Sequence, residues 1–123
     1  TIKRNMGRLY NKFLDDSKMF QTPIASTEYA ENIYWAYAIV LTEKCKYDAE
    51  EVIEFLKERK VGSRPFFQPM HQQPVFNDLK LFLGEAHPNS EKIARRGLYL
   101  PSGLALTRVQ IDYVSNVLLE ILE

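Results

Sequence analysis

Apolar residues recur at Met6, Leu9, Tyr10, Phe13 and Leu14. That is the spacing of an amphipathic helix, so residues 1–16 are read as helical from the first turn. Residues 17–32 carry Pro23 among scattered polar positions and are read as a loop or a short edge strand. The run IYWAYAIVL, Ile33–Leu41, is aromatic and β-branched and predicts a strand. Apolar side chains on both of its faces predict a central position covered on both sides. In YDAEEVIEFLKERKVG the helical period returns through Val52, Ile53, Phe55 and Leu56. Asp48 and Glu51 have capping-box spacing, Arg59 and Lys60 suit the negative end of the helix dipole, and Gly62 stops the helix.

Residues 63–67, SRPFF, read as a short strand near a sheet edge, because Pro65 has no N–H to give a ladder. QPMHQQP is a loop between prolines, and VFNDLKLFLG has room for a short helix. NSEKIARRG is another short helix, with Asn89 or Ser90 as cap and Gly97 as stop. Leu98–Leu100 is the next strand. A closing helix over residues 109–122 starts from a Thr107–Gln110 capping box and buries Ile111, Val114, Leu118 and Ile121. The order predicts an α/β fold of α+β sandwich type. Its small, mostly antiparallel sheet of about three strands packs against flanking helices.

Composition narrows the function classes. The 123 residues are 46% hydrophobic and 26% charged, which fits one globular domain spanning 1–123. Sixteen basic residues balance sixteen acidic ones. Nucleic-acid and anionic-membrane binding lean on a basic excess, so neither partner is expected. The single cysteine, Cys45, has no internal partner, and a cytoplasmic location is expected. A helix already under way at Thr1 suggests a piece of a longer chain.

Self-contained chemistry is sparse. No nucleophile elbow, phosphate-cradling glycine loop or HExxH pattern is present. Cys45 lies between Lys44 and Lys46 without a histidine near it in sequence. His87 reads as a solvated loop residue, and two histidines sixteen positions apart make no metal site. One constellation remains, in VGSRPFFQPMHQQPVF: Arg64, Phe66, Phe67 and His71 among three prolines. It is either a stiff apolar loop packed on the sheet, with Arg64 and His71 as polar tips, or a loop that faces a ligand.

Several segments together resemble a known family. RPFFQPMHQQPVF, NIYWAYAIVL and RRGLYLPSGLALTRVQIDYVSNVLLEIL are similar to the C-terminal portion of DegT-type sugar-nucleotide aminotransferases, nearest to perosamine-synthase-like members. KRNMGRLYNKFL resembles the helix leading out of their large domain. The resemblance implies the small domain of a fold-type I enzyme that uses pyridoxal 5′-phosphate. Such enzymes move an amino group, usually from glutamate, onto a nucleotide-linked keto sugar. It implies a homodimeric parent whose cofactor lysine lies outside this chain. No catalytic residue and no bound cofactor are then expected here.

By the same resemblance, the loop borders the cleft between domains. His71 contacts the sugar nucleotide or lines its entrance. Arg64 receives the donor's carboxylate, and Phe66 and Phe67 divide between cleft wall and core. Asn32, Trp35 and Ser102 are weaker candidates. Two other readings stand beside this one: a homologous dehydratase with the large-domain lysine replaced, and a free-standing interaction module. An apolar face normally covered by the large domain is expected around Met6, Tyr10 and residues 66–70.

Overall fold

The computed structural model describes residues 1–123. Helix α1, Ile2–Leu14, turns Met6, Tyr10 and Leu14 into the core. Strand β1, Phe20–Gln21, then pairs with β2, Tyr37–Leu41. Helix α2, Ala49–Glu58, starts at the expected capping box, with the Asp48 N–H donating to Glu51 Oε2 at 2.9 Å. Strand β3 is Arg64–Pro65, followed by a 3-10 turn at Met70–Gln72 and helix α3, Pro74–Asp78. Helix α4, Pro88–Arg96, runs directly into β4, Gly97–Leu100, and helix α5, Arg108–Leu122, closes the chain.

The sheet has four strands in the order β1-β2-β4-β3, every pair antiparallel. Leu41 lies opposite Phe20, Ile39 opposite Leu98, and Tyr99 opposite Arg64. The strand beyond the expected three is β1, from the segment read as loop or edge strand. The α+β architecture of a small antiparallel sheet with flanking helices is as expected. Strand β2 is central, but it is buried on one face only. Tyr37, Ile39 and Leu41 are sealed, whereas Ala38 and Val40 are half-buried. The buried face meets α1 through Tyr10, whose ring stacks on Tyr37 at 4.5 Å.

β2 begins four residues later than its apolar run. Tyr34 adopts φ +52° and buries its ring beside Gly7 of α1. A side chain driven inward from a left-handed residue cannot continue a pleat, so local β propensity yields to tertiary packing. Ile33 and Trp35, on either side, are left exposed.

Arg96 fastens the loop between β2 and α2. Its buried guanidinium donates to the carbonyls of Leu41, Thr42, Cys45 and Tyr47 and to Asp48 Oδ1. A planar fork with five donors can satisfy such a set, where a lysine head could not. By contrast, no residue from Gly62 to Arg95 is fully buried. No helix is long and apolar enough to cross a membrane.

Candidate functional site

The loop singled out in the sequence leaves β3 along the half-open face of the sheet. The Phe66 N–H donates to the Gly97 carbonyl at 3.2 Å, extending the β3–β4 ladder by one bond. The Phe66 ring stacks on Tyr99 at 4.7 Å, and Phe67 tilts toward the same tyrosine at 6.0 Å. Gly97 makes this seat possible, because a Cβ there would come within 2.6 Å of the Phe66 ring and 2.5 Å of the Ile93 carbonyl. Phe66 is therefore wall, half-buried against the sheet, while Phe67 is 75% exposed. Neither phenylalanine enters the core: Phe66 lies half-buried on the sheet and Phe67 faces solvent.

Arg64 is exposed and pairs with Tyr99 through its backbone, while its guanidinium has no hydrogen-bond or ion-pair partner within the chain. With Ser63, Tyr99, Pro101 and Ser102 it lines a shallow hollow of about 360 Å³. Ser63 Oγ faces no hydrogen-bond partner although it is sealed from solvent. An unpaired guanidinium at such a hollow is free to take a carboxylate or phosphate in two parallel hydrogen bonds. Ser102 shares the hollow, but its hydroxyl is committed. It accepts the Tyr37 N–H at 2.7 Å and donates to the Leu100 carbonyl at 2.8 Å.

His71 lies apart from that hollow. Its side chain is only 7% exposed, and Nε2 is 2.9 Å from Glu91 Oε1. The ring also meets His87 edge-on at 4.8 Å. It is thus a packed, hydrogen-bonded group rather than a polar tip. Glu91 Oε1 accepts the His87 backbone N–H at 2.9 Å as well. That bond, and then the His71 ring, hold the Glu91 carboxyl below its ordinary value. His87 is the N-cap of α4, with Pro88 at the first helical position, so the cap falls two residues before Asn89. Its Nε2 reaches Glu85 at 3.0 Å.

A larger open hollow of about 860 Å³ runs behind the loop between α2 and α4, lined by Phe66, Gln68, Gln72, Glu91 and Arg95 among others. The weaker candidates serve the backbone. Asn32 ties its own loop through the Ile24 carbonyl and the Tyr34 N–H. The Trp35 carbonyl accepts from Lys3, and the residue is 68% exposed. The sequence reading missed Glu91 and Tyr99. Pro88 marks the start of α4, and Glu91 in its first turn could have been read as a carboxylate favoured at a helix N-terminus.

These residues do not fit a pyridoxal phosphate site of their own. The cofactor needs a presented lysine, a phosphate cradle and a partner for its ring nitrogen. Of the nine lysines, Lys3 is engaged by the Trp35 and Ser102 carbonyls, Lys57 by Glu54 and Lys92 by Glu43, and none of the nine lines either hollow beside the loop except Lys92. The N-termini of α2 and α5 are filled by their own capping boxes, and that of α4 by Glu91. No group of three or more His, Cys, Asp or Glu side chains is arranged to hold a metal ion.

Of the residues expected on an apolar face, the pair on α1 is not exposed and the pair in the loop, Phe67 and Met70, is. Met6 and Tyr10 are core residues, at 4% and 0% exposure. Their helix packs on α5 and the sheet, so they leave nothing bare. Exposed apolar side chains occur at Phe67 and Met70 in the loop and continue through Val75, Leu79, Leu81 and Leu83, with others scattered elsewhere, Ile33 and Trp35 among them.

Residues 1–119 match the model of the DegT/DnrJ/EryC1/StrS aminotransferase family. The GDP-perosamine synthase of Vibrio cholerae is 31% identical over 83 residues, which are 68% of this chain and 22% of that protein. The GDP-perosamine synthase of Escherichia coli O157:H7 is 27% identical over 112 residues, 91% of this chain and 26% of that protein. Helicobacter pylori PseC, an aminotransferase involved in the biosynthesis of pseudoaminic acid, superposes with a TM-score of 0.84 at 16% identity, covering 98% of this chain and 32% of that one. The E. coli GDP-4-keto-6-deoxy-D-mannose-3-dehydratase superposes with a TM-score of 0.76 at 14% identity, covering 95% and 30%. At such identities the structural likeness shows a shared fold. The chain spans about a quarter of the length of the curated relatives it matches.

Proposed function

Because the chain belongs to the DegT/DnrJ/EryC1/StrS aminotransferase family, we propose that it is the small C-terminal domain of a pyridoxal-phosphate-dependent sugar aminotransferase. The parent moves an amino group from glutamate to a keto sugar carried by a nucleoside diphosphate, as a homodimer in the cytoplasm. The observation that carries this reading is the family match over nearly the whole chain, with an exposed, unpaired Arg64 beside the Phe66–Tyr99 stack. The cofactor supplies the carbanion-stabilising chemistry when bound by the rest of the enzyme. The residues here bind and orient substrate. Arg64 takes the carboxylate of the amino donor, and the Phe66 and Phe67 rings wall the cleft. His71 contacts the sugar nucleotide or lines its entrance.

A dehydratase shares this fold, as the E. coli neighbour does, and nothing in these 123 residues separates the two chemistries. The reading frame upstream of Thr1 discriminates between them. A large domain with a Schiff-base lysine supports the aminotransferase, and one without it supports the dehydratase. A start codon at this boundary leaves a free-standing interaction module. The activity test follows 2-oxoglutarate release from glutamate by the enzyme encoded in that frame, supplied with nucleotide-linked keto sugars. No amino transfer to any of them would overturn the proposal.

A further inference from the structure

We infer that Glu91 is a positioning residue for the His71 imidazole, holding it as the Nε2–H tautomer so that Nδ1 is the atom the ring offers outward. The argument begins with the carboxylate. The His87 N–H donates to Oε1 at 2.9 Å, and α4 starts at that point, so negative charge is favoured there by the helix dipole. An ionised carboxylate only accepts hydrogen bonds. His71 Nε2, 2.9 Å from the same oxygen, must therefore be the protonated nitrogen.

Nδ1 of His71 makes no hydrogen bond within the chain, and the sealed polar atoms lacking partners are Arg4 Nε and Ser63 Oγ. The Nδ1 edge thus keeps an outlet. In the neutral ring it accepts a hydrogen bond, which suits a sugar or ribose hydroxyl as donor. Glu91 also fixes where the ring stands. One oxygen binds both His71 and the N–H of His87, closing the base of the excursion of residues 72–86, in which no residue is buried. The segment has a second polar tie, Glu85 to the His87 ring, but the only hydrogen bond made by the His71 ring itself is the one to Glu91, so the placing of its protonated nitrogen depends on this carboxylate.

The consequence for substrate contact rests on the proposed function, whereas the tautomer does not. The chain holds two histidines, so 15N-histidine labelling gives two imidazole patterns in long-range 1H–15N correlation spectra. At a pH where the rings are neutral, wild-type His71 is expected to show the Nε2–H pattern alone. Glu91→Gln keeps an acceptor for His87 but can turn an amide donor to the ring, so a mixture of tautomers is expected. Glu91→Ala should give the same loss, and amide fingerprints check that each variant is folded. Glu85→Ala should change His87 and leave His71 as it is. A dominant Nδ1–H form in the wild type would overturn the assignment, as would an unchanged Nε2–H pattern in Glu91→Gln. Either result would leave the aminotransferase reading standing, because that is judged by amino transfer alone.

Discussion

Arg96, the last residue of α4, reaches Asp48, the N-cap of α2, at 2.8 Å. Four backbone carbonyls share the same guanidinium. Arg96→Met would keep much of the volume but leave these acceptors and a carboxylate unpaired. Breaking a buried ion pair costs about 3–5 kcal/mol. Asp48 is 38% exposed and water can reach it, so the lower end, about 3 kcal/mol, is expected here. Arg96→Lys should recover only part of it, since an ammonium cannot span five acceptors. Urea unfolding of the three proteins measures this, and equal midpoints would remove Arg96 from its structural role.

Gly7→Ala sets two effects against each other. Alanine favours a helix interior over glycine by about 1 kcal/mol. The added Cβ, however, would come within 2.3–2.5 Å of the ring carbons of Tyr34, a residue 3% exposed and held at φ +52°. Overpacking of this kind costs about 1–3 kcal/mol. The clash should win, and the thermal midpoint should fall. A raised midpoint would mean that Tyr34 can leave its slot.

The same tyrosine marks where sequence reading stops. The α1, α2 and α5 helices were legible because their apolar stripes and caps are local signals. The start of β2 was not, because Tyr34 is buried by a helix almost thirty residues upstream. Strand β1 is two residues long and exists through its pairing with Val40 and Leu41. In the loop, the residue types drew notice to Arg64 and His71, but only the fold separates them. One guanidinium is free at a hollow, and the imidazole is turned onto α4. Glu91, twenty residues beyond His71, carries no mark of that contact in the sequence.

Acid should loosen the clasp at Glu91. Its folded-state pKa is depressed below the ordinary value of 4.5, first by the His87 N–H and then by His71. A depressed carboxyl stabilises the fold above its unfolded pKa, and that contribution is lost as pH falls through the folded value. Stability should therefore hold above about pH 4.5 and decline below it. Glu91→Gln should lack this part of the decline while keeping the remainder. Denaturant midpoints across pH 2.5–7, roughly spanning the carboxyl titration range, check the sign. Identical profiles would show that the clasp does not contribute.

Arg64 and His71 should differ in kind when each is truncated. Arg64 is exposed and its guanidinium is unpaired, so Arg64→Ala should change stability by no more than about 0.5 kcal/mol. His71→Ala removes a packed ring and its bond to Glu91, so its melting temperature should fall further than that of Arg64→Ala. Turnover in the parent enzyme should rank differently. Loss of a charge-assisted contact is worth about 1.5–3 kcal/mol, which is about tenfold to hundredfold in kcat/KM. For Arg64→Ala that loss should appear in the half-reaction with the amino donor and spare the half-reaction with the sugar nucleotide. For His71→Ala the pattern should reverse. Arg64→Lys should not rescue the donor half-reaction fully, because a point charge cannot pair bidentately with a carboxylate. Stopped-flow kinetics of each half-reaction, beside melting curves, reads both axes. Near-wild-type rates for Arg64→Ala in both half-reactions would return Arg64 to an ordinary surface residue. Normal rates with a lowered melting temperature for His71→Ala would make His71 a structural brace.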